Sequence, residues 1–280
     1  MAVSVHASEP RFLFFWNNKV ASRSLLTALE QTFPGLHAYA QPSFRPPRQD
    51  QNWPRFLVVR DPWARTASCF RNKCRDAIEA LDRNGGLEPC QRHLLRELGV
   101  WPCRSNAGAR RLSELNFAEF VKLLPGVRDG NSHFRMQVDV LRHAGAITSR
   151  IPWAGRAART LIHLGRTHHS TPEFLKSRPT ATADGVSLAE ARKQSVQWLH
   201  LEELPEAWKR VEHTLGRTIP FPWHARTSES EDWRALYDTT LRARVADLYR
   251  PDLEMFGYDW EEPIGSDGGG ATGHGGPDPR

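Results

Sequence analysis

The chain has 280 residues, 39% of them hydrophobic, and a formal net charge of +6. This suits one ordinary domain with a sizeable core. No run reaches transmembrane length and residues 1–11 lack the basic start and apolar stretch of a secretory signal, so a soluble, cytoplasmic protein is expected.

In chain order, residues 1–10 read as an N-terminal extension. Arg11 to Trp16 then supplies a continuous apolar run of strand length, expected to be a buried and parallel strand. The polar stretch Asn17 to Ser24 follows, and Leu25, Leu26, Ala28 and Leu29 recur at helical spacing up to Thr32, with Pro34-Gly35 as the stop. Strand, polar loop with a lysine, and helix together form a phosphate cradle. The loop N–H groups and the helix N-terminus hold oxygens while Lys19 supplies a mobile charge. No G-x-x-x-x-G-K-[ST] is present, so this is not a Walker A loop. Taken alone, an ordinary strand-to-helix turn has the same pattern.

Leu36 to Ala40 alternates briefly as a second strand, and a Pro-rich basic loop runs from Gln41 to Pro54. Phe56 to Val59 forms a third apolar run, ending in Arg60-Asp61-Pro62, after which Arg65, Ser68 and Arg71 recur at roughly helical spacing with Lys73 just beyond. The helix is expected to continue to about Leu81, closed by Asn84-Gly85-Gly86. Strands alternating with helices argue an α/β fold, a mainly parallel open sheet flanked by helices, with ligands at the carboxyl ends of the strands. Both anion-binding corners, at Lys19 and at Arg60, fall at that end. Two such corners imply a ligand with two separated anionic groups.

Downstream, Arg142 to Arg178 holds seven Lys or Arg against one acid, Glu173, an excess that matches the charge of the whole chain. Such a stretch suits an anionic partner, although a solvated face carries the same charge. His163, His168 and His169 lack an accompanying acid or Cys cluster, and Cys69, Cys74, Cys90 and Cys103 form no C-x-x-C pair. No metal is therefore expected, and free thiols in a reducing compartment are the natural state. Beyond Glu262 the chain is Gly-rich, and residues 263–280 read as a disordered tail.

The two corners resemble the 5′-phosphosulfate loop and the 3′-phosphate motif of the PAPS-dependent sulfotransferases, closest to the carbohydrate (family 2) branch. Asn18-Lys19-Val20-Ala21-Ser22-Arg23-Ser24-Leu25 resembles the first motif, with Asn18 in place of Pro and Arg23 in place of Thr. Leu57 to Lys73 resembles the second over its whole length. Asn116 to Val121, Asn131 to Gln137, Trp198 to Leu204 and Tyr249 to Tyr258 are similar to later family landmarks and occur in the expected order. The likeness lapses at about 145–195, which is then a basic insertion in a domain spanning 11–262.

The resemblance implies a P-loop-like sulfotransferase architecture and transfer of a sulfuryl group from PAPS to a hydroxyl of a carbohydrate or related, anionic acceptor. Lys19 would neutralise the leaving phosphate while the backbone of Val20, Ala21, Ser22, Arg23 and Ser24 holds the 5′ group, and Arg60 and Ser68 would grip the 3′-phosphate. For the base that takes the hydroxyl proton, His37 is the first candidate and His133 the alternative. The basic insertion would be an acceptor-binding or membrane-facing lid, with peripheral membrane contact. Two other classes fit parts of the pattern. A nucleotide-dependent kinase shares the cradle but needs Mg²⁺ ligands, and a nucleic-acid-binding protein accounts for the charge.

Overall fold

The computed structural model describes residues 3–8, 11–16, 18–34, 36–39, 53–143, 196–221 and 232–261. The expected insertion at 145–195, most of the Pro-rich loop and the Gly-rich tail lie outside these residues. Among the described residues five strands form one sheet: β1 (Val3–Ser8), β2 (Arg11–Trp16), β3 (His37–Tyr39), β4 (Arg55–Val59) and β5 (Val196–His200). Their order is β3-β1-β2-β4-β5. The core β2-β4-β5 is parallel, while β1 runs antiparallel to both β2 and β3. This is the α/β architecture expected from the sequence. β1 falls within the stretch read as an extension and is hydrogen-bonded along the whole of β2.

The apolar runs are continuous because both faces of the sheet are covered. Side chains alternate along a strand, so Phe12, Phe14, Phe56 and Val58 go to one face. There they pack against α1 (Ser22–Thr32) and α8 (Leu204–Leu215) through Leu25, Leu29, Trp208 and Val211. Leu13, Phe15, Leu57 and Val59 go to the other. That face is roofed by α2 (Pro62–Phe70), α3 (Ala77–Asn84), α4 (Pro89–Glu97), α5 (Ser105–Ser113), α6 (Phe117–Val127), α7 (Val138–His143), α9 (Thr239–Leu248) and α10 (Arg250–Phe256). Burying each such Phe or Leu stabilises the fold by roughly 1.5–3 kcal/mol.

The long helix expected from Pro62 to Leu81 is interrupted. After Phe70 the chain makes one π-helical turn, Arg71–Arg75, before α3 resumes at Ala77. The wider turn adds a residue without ending the helix, a device that recurs at functional sites. Here it turns Lys73 and Cys74 inward, and both are buried. Gly85 then closes α3 in the left-handed conformation, at φ 66°.

Candidate functional site

The site is built where β2 and β4 end side by side, Trp16 pairing with Val58. After β2 the chain passes through Lys19 at φ 72° and Ala21 at φ 56°, both in the left-handed region. Without glycine, such residues cost about 1–3 kcal/mol each and persist only where surroundings over-determine them. Val20 between them is fully buried and pins the loop to the core. The first turn of α1 then presents its N–H groups with no side-chain cap and no acidic residue. A left-handed loop running into an uncapped helix N-terminus of eleven residues is built to receive an anion.

At the end of β4, Arg60 lies between the strand and α2. Its Nη1 donates to the carbonyl of Lys19 at 3.1 Å, tying the two corners together. Burial works against its charge, and Glu202 opposes that most strongly, with Asp61 adding to it. Asp61 caps α2, accepting from the N–H groups of Trp63 (2.7 Å) and Ala64 (3.0 Å). Burial, outweighing those bonds, lifts its carboxyl to about 6. Glu202, at the end of β5, accepts from the N–H of Asp61 at 2.9 Å and from the hydroxyl of Tyr258 at 3.1 Å. Eight of the nine residues of α2 are buried. Ser68 is the exception, half-buried and two turns beyond Asp61 on the same face of the helix.

The far end of the site is a charged cluster. Lys73, 6% exposed, pairs at 2.7 Å with Glu88, whose side chain is 27% exposed. Glu88, Cys90 and His133 bring a carboxylate oxygen, a thiol and a ring nitrogen within 4.8 Å of one another. The ring of His133 is held by neighbouring asparagines. Asn131 Oδ1 accepts the backbone N–H of His133 at 2.9 Å and lies 3.1 Å from its Nδ1. The same Nδ1 lies 3.4 Å from Asn18 Nδ2, so two asparagines hold this edge of the ring between its own segment and the Lys19 loop. Burial, reinforced by Lys73, depresses the ring to about 3 and keeps it neutral. Lys19 is also depressed, by burial first, while Lys73 and Arg60 lower it further and Cys69 and Glu88 oppose them.

These three donor types can serve as metal ligands, yet Lys73 already occupies Glu88 and Lys19 lies close by. Two ammonium groups favour an anion over a cation at this spot. Burial also raises the Cys90 thiol to about 12, so it remains protonated.

Of the residues singled out in the sequence, the structure gathers Lys19, Val20 to Ser24, Arg60 and His133 around one end of the sheet. Asn18 links the loop to the His133 segment, its Nδ2 donating to Ser132 Oγ at 2.9 Å. That segment is held from behind by Arg65, which donates to the carbonyls of His133 and Arg135, and by Tyr249, which donates to that of Phe134. His37 is placed elsewhere. It opens β3 at the outer edge, opposite His6 and level with Leu13. Its backbone is thus about 10 Å short of the strand ends and about 10 Å across from β2, at 3.3 Å per residue and 4.8 Å per strand. The side chains of His37 and Arg23 lie outside what the structure describes.

Sequence reasoning missed that Lys73 and Glu88 come close to Lys19 and that Cys90 joins Glu88 and His133. One signal was available: Glu88-Pro89-Cys90-Gln91 starts a helix, and Gln91 Oε1 indeed accepts the N–H of Glu88 at 2.9 Å.

No curated protein and no solved structure matches the chain significantly. No helix among the described residues is long and apolar enough to cross a membrane. One family model does match, over residues 11–259, covering both corners and every later landmark. Against the kinase and nucleic-acid readings, that span and this geometry make the chain an enzyme of sulfuryl transfer and a member of the sulfotransferase family.

Proposed function

We propose that the protein transfers the sulfuryl group of PAPS to a hydroxyl of a carbohydrate or related acceptor. The acceptor oxygen bonds to sulfur as the bridging S–O bond breaks, and adenosine 3′,5′-bisphosphate leaves with the electron pair. Lys19 and the N–H groups of Val20 to Ser24 hold the 5′ end and offset charge on the leaving phosphate. Arg60 and Ser68 grip the 3′-phosphate, which anchors the nucleotide away from the reacting centre.

Of the two histidines, His133 is the better base. Its ring lies in the same cluster as Glu88 and the Lys73 paired with it, whereas His37 sits on the edge strand. The anionic donor also offsets the lysines that depress His133, so its basicity rises when the donor is in place. All four cysteines are free thiols, which accords with a reducing, cytoplasmic setting.

The observation that carries this reading is the pair of corners joined by Arg60 and Lys19. Its test is isothermal titration with adenosine 3′,5′-bisphosphate. Binding in the micromolar range or tighter is expected, with Ser68→Ala weakening it about fivefold, as befits one neutral donor worth about 1 kcal/mol. A folded sample that shows no binding overturns the assignment.

A further inference from the structure

Arg60 belongs to neither of the elements it joins. β4 ends at Val59, whose partner is His200, and α2 begins at Pro62 with Asp61 as its cap. The N–H and C=O of Arg60 therefore fall outside both the strand ladder and the helical ladder. Left unpaired in an interior, each costs about 1–3 kcal/mol. One side chain satisfies both. Gln137 Oε1 accepts from the Arg60 N–H at 2.9 Å, and its Nε2 donates to the Arg60 C=O at 2.7 Å.

A side-chain amide is suited to this at any pH, because it offers an acceptor and a donor on one flat head. Gln137 is fully buried and is itself held by a second group. The two carboxylate oxygens of Asp252, on α10 and also fully buried, accept the N–H groups of Gln137 and Val138 at 2.8 Å each. A chain of neutral and charged bonds thus runs from the C-terminal helix through Gln137 to the backbone of one arginine.

We propose that Gln137 and Asp252 are positioning residues for recognition of the 3′-phosphate, acting by fixing the backbone from which the Arg60 guanidinium projects. This rests on the reading of Arg60 as the 3′-phosphate grip. The requirement is geometric: a binding group must be held within about 0.5 Å and 10–20° of its productive position. A long side chain magnifies any swing of its own backbone, and no regular element supplies the restraint at this hinge.

The test compares two nucleotides on the full chain: adenosine 3′,5′-bisphosphate, and 5′-AMP, which lacks the 3′-phosphate. The ratio of their affinities isolates the contribution of that group. In Gln137→Met the ratio is expected to fall tenfold or more while 5′-AMP affinity stays within about twofold of wild type. In Asp252→Asn, which keeps one acceptor of two, a fall of about three- to tenfold is expected. Gln137→Leu, which lacks both donor and acceptor, must also lower the ratio and serves if the Met variant does not fold.

An unchanged ratio in a folded variant overturns the proposal. So does a parallel loss of both affinities, which marks general damage, or loss of the fold in both Gln137 variants, which assigns the residue to stability alone. Wild-type protein that binds neither nucleotide overturns the nucleotide reading of the whole site, and this proposal with it.

Discussion

The two ends of the site are secured by opposite means. At the Arg60 hinge, the buried Gln137 and Asp252 and the exposed Glu202, all brought from distant parts of the chain, secure the backbone, while the arginine side chain reaches across to the Lys19 carbonyl. At the Lys73–Glu88–His133 end, side chains face one another and are held by charge, in a partly open setting. In the proposed reading the hinge, held by neutral and charged bonds to its backbone, is the anchor for the nucleotide, and the cluster of ionisable groups is the reacting centre. An anchor needs the first arrangement and a reacting centre needs the second.

The largest effect is expected at the anchor. In the proposed reading Arg60→Ala removes the charge-assisted bonds to the 3′-phosphate, and it also removes the bond to the Lys19 carbonyl. A loss of about 100-fold in affinity for adenosine 3′,5′-bisphosphate is expected by titration calorimetry, since each such bond is worth about 1.5–3 kcal/mol. Affinity within threefold of wild type would detach Arg60 from the anchor and dissolve the contrast.

At the reacting end the corresponding change acts first on stability. Glu88→Gln leaves Lys73 almost buried and without its counter-charge. Breaking a fully buried pair costs about 3–5 kcal/mol, and because Glu88 is partly open the expected loss is about 1–3 kcal/mol. Urea unfolding at constant slope measures it. Adding Lys73→Met should recover most of the loss, and a double variant no more stable than the single one would show that the ion pair is not what holds this end together.

This division also separates what was legible in the sequence from what was not. Phe12 to Phe15 and Phe56 to Val59 are apolar at every position, so they declare strands covered on both faces, and Arg60-Asp61-Pro62 marks a strand end and a capped helix by local chemistry. The landmarks at Asn131–Gln137 and Tyr249–Tyr258 could be read as motifs, but their purpose could not. Gln137 meets Arg60 across 77 residues and Asp252 across 115, and no periodicity encodes a hydrogen bond between distant loops.

The Lys73–Glu88 pair was hidden for another reason. A regular helix through Arg71–Arg75 would place Lys73 differently, and the π turn that swings it inward has no strong composition signal. The role of β1 was hidden too, since a strand at the start of a chain is defined by its partner, β2, rather than by its own pattern.

The finest distinction between the two ends lies in the sign of their pH dependence. His133 is depressed from 6.5 to about 3, so between those values the unfolded chain binds the extra proton. Its contribution is complete above pH 6.5 and is lost as pH falls toward 3. Asp252 is raised from 3.8 to about 6, so there the folded chain binds the extra proton. Its contribution is complete below pH 3.8 and is lost as pH rises through 6. Thermal unfolding of the wild type against His133→Gln and against Asp252→Asn, followed from pH 4.5 to 7, reads the two separately. The stability of wild type relative to the His133 variant should rise with pH up to 6.5 and then level off. Relative to the Asp252 variant it should fall up to about pH 6. The same slope in both comparisons would mean that one electrostatic environment spans the site, and that the anchor and the reacting centre are not distinct.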